Sequence, residues 1–319
     1  MLARTAENLY WLARYIERAD FTARIIEVTA RLAALPQNYR RSGGEWESAL
    51  AAVGALNSFK ASFSEATESN VVFFLTFDEA NPSSIRRCLE QARINARTIR
   101  TALTAEMWQS INAGWLELKA MEEKRRGGEY SGADSIQPFL EFVKAVSLDF
   151  DGSSYRTMLR NDAYWFNRIG LYCERADNTA RLMDVKYNVL LPKTEEVGGS
   201  LDYFQWTAIL RAVSAQTAYH WVYRESVKPW LIADLLILRK EMPRSLAYCY
   251  DGLTRFLDSL GKAYGKQGLA QRHARNILRR IDSASMESIF QQGLHEFVTK
   301  FIEDNNRLGA LIAEQYLHH

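Results

Sequence analysis

The sequence predicts an all-α protein, a bundle of about ten helices built from two pseudo-symmetric halves. Three observations lead there. Apolar residues recur at alternating steps of three and four through most of the chain. Only six prolines and 17 glycines interrupt its 319 residues. And IERADFTAR, residues 16–24, returns as CERADNTAR at 173–181. The chain reads as one domain, 1–319, with internal halves at about 1–150 and 151–319, each opening on a long ERAD-containing helix.

The elements follow in order. Residues 2–34 carry Leu9, Leu12, Ile16, Ala19, Ala23, Ile26 and Ala30 on one seam, and Leu35-Pro36 ends the helix. QNYRRSGGE, 37–45, is a loop, and a second helix covers 46–64. VVFFLTFD, 71–78, has strand-like content but no hairpin partner, so strand and buried helix both stand, with helix favoured. NPSS at 81–84 opens a helix, with Asn81 as cap and Pro82 in the first turn, running to about Met107. Trp108–Arg126 continues helically, and RRGGEYSGADS, 125–135, breaks it. Asp134 or Ser135 caps the next helix, to about Phe150.

A turn at DGSS, 151–154, precedes a long helix to about Leu191, stopped by Pro192. After the polar loop KTEEVGGS, 193–200, come helices over 201–226, from Pro229 to Lys240, from Pro243 to about Tyr264, near 268–284, and from Met286 to Leu317.

Composition excludes several classes. The net charge of +2, with acids and bases interleaved, argues against nucleic acid as the main partner. Cys88, Cys173 and Cys249 lie far apart without CxxC spacing, the pattern of buried thiols in a reducing compartment. The N-terminus mixes acids and arginines, unlike a signal or transit peptide, and no apolar run approaches 18 residues. A cytoplasmic protein without a membrane span is expected.

At an offset of 157, residues 6–28 and 163–185 share ten of 23 positions. The identities cover most of the helix circumference. A surface helix would keep its core side alike and let its solvent side drift between copies. These helices are therefore expected to be surrounded by protein, or by protein and a ligand. Glu17, Asp20 and Arg24 form a stripe beside the apolar seam, with Asp20 four residues before Arg24. Two carboxylates meeting one guanidinium invite a partner from elsewhere, such as Arg181. Arg18 points to nearly the opposite side. The candidate site is thus Glu17, Arg18, Asp20 and Arg24 with Glu174, Arg175, Asp177 and Arg181. Three readings stand: a structural ion-pair network, a network flanking a ligand pocket, or catalytic carboxylates.

Catalytic and cofactor motifs are missing. There is no GxxxxGK[ST], GxGxxG, HExxH, ExxH or GxSxG. Neither a metal nor a cofactor is expected, and Cys173, matched by Ile16, reads as a core residue. Two further stretches stand out. Arg93, Arg97 and Arg100 form either a solvated basic face or an anion or partner surface. Tyr219, Trp221, Tyr223 and Trp230 form core, an inter-subunit face or a ligand groove.

Taken together, the doubled ERAD-TAR helix, NPSSI at 81–85, ARINARTIR with EMWQSIN at 92–112, and AYHWVYRESVKP at 218–229 resemble the Alpha-E family of bacterial all-helical proteins. The resemblance runs nearly end to end. That family often has arginine at the position of Arg14 in both halves; Leu171 stands there in the second, which argues against a paired role for Arg14. The resemblance implies a place beside a circularly permuted ATP-grasp ligase-like protein, a transglutaminase-like peptidase and sometimes a proteasome-like peptidase. It points to peptide synthesis, tagging or modification. The expectation is a helical accessory subunit that binds the ligase and its peptide or amino-acid acceptor, with homo-oligomerisation. The alternatives are an enzyme using the paired carboxylates and a homodimeric scaffold.

Overall fold

A computed structural model describes residues 1–34, 44–126, 136–189 and 200–317. It is all-α, with fifteen α-helices and no strand among the described residues. In the first half these are α1 (Ala3–Ala33), α2 (Gly44–Ala52), α3 (Leu56–Ser62), α4 (Glu68–Thr76), α5 (Ile85–Thr98), α6 (Ala105–Arg126) and α7 (Gln137–Thr157). The second half holds α8 (Asp162–Val189), α9 (Ser200–Ala212), α10 (Gln216–Tyr223), α11 (Pro229–Ile237), α12 (Leu246–Ala263), α13 (Leu269–Ser283), α14 (Met286–Gln292) and α15 (Leu294–Ile312).

The count exceeds the expected ten because long apolar patterns are cut at tight turns. Gly54, at φ +68°, separates α2 from α3. Ser214, at φ +55°, does the same between α9 and α10, and Gly293, at φ +102°, between α14 and α15. A 3-10 turn, Arg100–Ala102, ends what read as one helix to Met107. DGSS is no turn: α7 runs through it to Thr157, and the break falls at 158–161. VVFFLTFD is helical. Thr67 caps α4 by accepting from the Asn70 amide, and Val71, Phe74 and Leu75 face the core at helical spacing. The expected Asn81 cap is instead Ser84, whose Oγ accepts from the Arg87 amide. Asn81 braces the preceding turn, donating to the Phe74 carbonyl and accepting from the Ser83 amide. The expected stops at Pro36 and Pro192 and the caps at Asp134 or Ser135 lie outside the described residues.

Two long helices cross at the centre, α1 against α8, and the other elements are laid on them in parallel fashion. α5 and α7 pack on α1, as α12 and α15 pack on α8. The first short helix of each half reaches across: α2 packs on α8 and α9 on α1. The long helices are therefore surrounded, and one connected set of buried apolar side chains runs through both halves. Cys88, Cys173 and Cys249 are all buried in it as free thiols.

The crossing is close because small residues line it. Gly170 of α8 lies against the Tyr10 backbone of α1; a Cβ there would stand 2.2 Å from the Tyr10 carbonyl oxygen. Nothing at that contact is a flexible side-chain end, so a methyl group must push the helices apart. Gly170→Ala is expected to destabilise the fold by about 1–3 kcal/mol, the range for an overpacked core. A urea titration followed by circular dichroism reads that change.

Candidate functional site

The two ERAD copies meet at the α1–α8 crossing and exchange partners. Arg18 Nε donates to Glu174 Oε1 at 2.6 Å, and its Nη2 to Oε2 at 3.1 Å. In reply, Arg175 Nε and Nη2 donate to Glu17 Oε1 and Oε2 at 3.0 and 2.8 Å. Each arginine thus grips the other helix's glutamate by two bonds, the fork geometry that suits a guanidinium and a carboxylate. Within each copy the i, i+4 pair also forms: Arg24 to Asp20 at 2.7 Å and Arg181 to Asp177 at 2.6 Å.

Each glutamate takes a second guanidinium, from a different place in each half. Glu174 accepts from Arg14 Nε at 2.7 Å. Arg14 is therefore a paired residue after all. Glu17 has only Leu171 at the matching position of α8, and Arg244 supplies the missing charge from the turn before α12, at 2.6 Å. The same Arg244 reaches Asp20 Oδ2 at 2.8 Å. The outside partner of the first copy is thus Arg175 with Arg244, and Arg181 stays on its own helix.

Burial alone would push both glutamic acids up. The guanidiniums of Arg175 and Arg244 outweigh it for Glu17, and those of Arg18 and Arg14 for Glu174, so both carboxyls are held down at about 2. Burial pushes the thiols the other way, Cys173 to about 11 and Cys88 and Cys249 to about 12. The carboxylates are permanently charged and the thiols permanently protonated near neutral pH. Neither set offers a proton donor or a nucleophile.

The arrangement is duplicated beyond the ERAD helices, and this the sequence reading missed. The signals were short: AVGA at 52–55 against AVSA at 212–215, and PSS at 82–84 against PRS at 243–245. Ser84 caps α5 and Ser245 caps α12 in the same way. Arg24 Nη1 donates to the Oγ of Ser214 at 2.6 Å, on the left-handed turn between α9 and α10. Arg181 lies over the matching left-handed turn at Gly54, where a Cβ would be 3.0 Å from its Nη1.

The two copies differ where Arg244 is matched by Ser83. On the first side Arg244 fills the space over Glu17 and Asp20, and Glu17 is 1% exposed. On the second side Ser83 is too short to fill it, and its hydroxyl accepts only a 3.4 Å bond from Arg18 Nη1. A cleft of about 250 Å³ opens there, lined by Arg14, Arg18 and Arg181, by Glu174 and Asp177, and by Thr22, Gly54, Asn81, Ser83, Asn178 and Asn306 among others. Asn178 stands where the first copy has Phe21, and its amide nitrogen is buried without a hydrogen-bond partner.

The other sequence candidates lie outside this cleft. Arg93 donates to Asn112, Arg100 stacks on Trp108, and Arg97 is exposed on the same helix face. The aromatic group divides. Tyr219 is buried and bonded to the Ser226 carbonyl and Lys228 amide, and Tyr223 donates to Asp234. Trp221 and Trp230 face outward, 78% and 49% exposed. Among the described residues no cluster of His, Cys, Asp or Glu could hold a metal, and no helix is long and apolar enough to cross a membrane.

Fold and site define a class: an all-helical protein whose two halves are locked by a doubled glutamate–arginine motif. The chain belongs to the Alpha-E family, described as a predicted alpha-helical domain with a conserved ER motif, which it matches over residues 1–317. No curated protein and no solved structure matches it.

Removing Glu17 leaves Arg175 and Arg244 buried without their shared partner. Glu17→Gln is expected to cost about 3–5 kcal/mol, the range for breaking a buried pair. Glu174→Gln is expected to cost less, because Arg14 and Arg18 can rehydrate through the cleft. Chemical denaturation of both variants gives the comparison. Because both carboxyls are depressed in the fold, their stabilisation is complete above the ordinary value of 4.5 and is lost as pH falls toward about 2. A pH series of thermal melts is expected to fall across that window, and to fall less in Glu17→Gln.

Proposed function

We propose that the protein is a non-catalytic helical subunit of an ATP-grasp-type peptide or amide ligase system, acting in the cytoplasm. It holds the charged end of the ligase's acceptor or substrate and docks the ligase itself. The observation that carries this reading is the cleft over the second ERAD copy. It offers guanidiniums and amides for binding, beside a Glu174 carboxylate held ionised and far from a proton-transfer role. The ligase system as the setting is what the resemblance to the Alpha-E family implies.

The held-down glutamates weigh against an enzyme that uses Glu17 or Glu174 as its acid or base. That reading needs at least one carboxyl raised toward neutrality, and both glutamates move the other way. For docking we assign the outward face at Trp221, Val222 and Trp230, since exposed tryptophans of this size mark partner surfaces.

Co-purification with the ATP-grasp protein, with ATP turnover measured with and without this chain, tests the proposal. Added chain is expected to raise ligase turnover in the presence of acceptor. The pair Trp221→Ala and Trp230→Ala is expected to weaken co-purification by roughly 10-fold or more while leaving helicity unchanged. No change in binding or turnover on adding the chain would sink the proposal. Loss of a dimer in sedimentation, with ligase binding intact, would reassign that face to self-association.

A further inference from the structure

We propose that the cleft at the second ERAD copy is a binding site for the carboxylate of an amino acid or short peptide. The ligand class deepens the function just proposed and rests on it for the cleft's role in ligation. The binding chemistry itself follows from the residues.

Consider first what is left over. Arg181 spends only its Nε, on Asp177. Its terminal nitrogens have no hydrogen-bond partner among the described residues, and Nη1 lies over Gly54, whose missing Cβ leaves it room. Arg14 spends Nε on Glu174 and Nη1 on Tyr10, and Nη2 remains. Asn178 is 5% exposed and carries an amide nitrogen with no partner. A buried polar group in that state is destabilising until something bonds to it. The unused groups at the cleft are thus mostly donors. Its charged residues, three arginines against two carboxylates, sum to one positive charge. Donor excess and positive charge select an oxyanion. A guanidinium terminus matches a planar carboxylate by a two-bonded fork.

The first copy shows why this side is a site. There the same backbone frame is closed by Arg244, whose guanidinium fills the space over Glu17 and Asp20 and donates to both. Ser83 in place of Arg244 is the substitution that empties the second frame. Glu174 is already satisfied by Arg14 and Arg18, so the vacant space is not a gap waiting for another cation. Asp177 Oδ1, which takes a 3.5 Å contact from Asn305, is an acceptor open to a ligand ammonium.

The protein's own symmetry supplies the test. Ser83→Arg copies the closed half. Titration calorimetry of the purified full chain, without ligase, would use alanyl-alanine, its C-terminal amide, inorganic phosphate and agmatine. Alanyl-alanine is expected to bind, and the amide to bind at least roughly tenfold more weakly, the scale of a charge-assisted fork. Ser83→Arg is expected to abolish binding with the thermal melt unchanged. Should Ser83→Arg fail to fold, Arg181→Gln at the rim decides, with a loss of roughly tenfold expected. Equal binding of the amide overturns the proposal. So does binding of agmatine or of phosphate in place of the dipeptide, or full binding by a folded Ser83→Arg. Dipeptide binding with no effect on the ligase leaves this inference standing and defeats the ligase reading. A ligase response with no dipeptide binding does the reverse.

Discussion

The structure hangs on the exchange of arginines between α1 and α8. Each helix carries Glu-Arg in sequence, and at the crossing each arginine grips the other helix's glutamate. The arrangement fixes the register of the two helices. Sliding one helix by a single residue moves its side chains about 1.5 Å along the axis and 100° around it. That would separate both pairs at once and leave charges stranded in the core. Burial of so many charges gives little net stability, because desolvation consumes much of the Coulombic gain. What it gives is specificity: near-miss packings of these two helices are penalised by several kcal/mol.

From that crossing the rest follows. Small residues bring the axes together, with Gly170 against the Tyr10 backbone, and Ala19, Ala23, Ala176 and Ala180 all buried near it. The neighbouring turns then come within reach of the charged side chains. Arg24 binds a left-handed serine and Arg181 covers a left-handed glycine. The serine carries a conformational cost of about 1–2 kcal/mol that glycine avoids, and its charge-assisted bond to Arg24 offsets it. The swapped packing of α2 and α9 across the halves makes these turns part of the opposite half's charge network. Neither half can complete its network alone.

Much of this was legible in the sequence. The helical periodicity and the scarcity of proline and glycine gave the all-α class, and the all-round similarity of 16–24 and 173–181 gave the enclosed pair of helices. The partner exchange was not legible. A helical wheel places Arg18 away from the Glu17 stripe, and the wheel cannot show that Glu174 of another helix lies on that other side. Arg244 and Ser83 were hidden for a similar reason: each acts from a turn whose only mark is a proline two residues before a capping serine. The helix count failed at Gly54, Ser214 and Gly293, where one left-handed residue redirects the chain without disturbing the apolar pattern around it. Asn81 was misread as a cap because its side chain does satisfy a backbone amide, one turn too early.

The departures from internal symmetry bear most on function. Swapping Leu171 for Arg14, and Arg244 for Ser83, moves one positive charge from a turn to a helix and preserves the pairing of both glutamates. The exchange is neutral for the ion pairs and unequal for the space above them. An arginine rooted in the turn lies over its carboxylates and seals them. An arginine rooted in the helix reaches its glutamate from within the crossing and leaves the turn side empty. Asn81, Ser83, Asn178 and Asn306 line that emptiness with polar groups, beside Phe21. One half of the doubled frame therefore serves as a sealed joint and the other as a lined recess, and the joint holds the recess in shape. A recess walled by a Glu174 carboxylate that Arg14 and Arg18 hold ionised keeps that charge fixed across the neutral range. That suits recognition of a charged group better than the transfer of a proton.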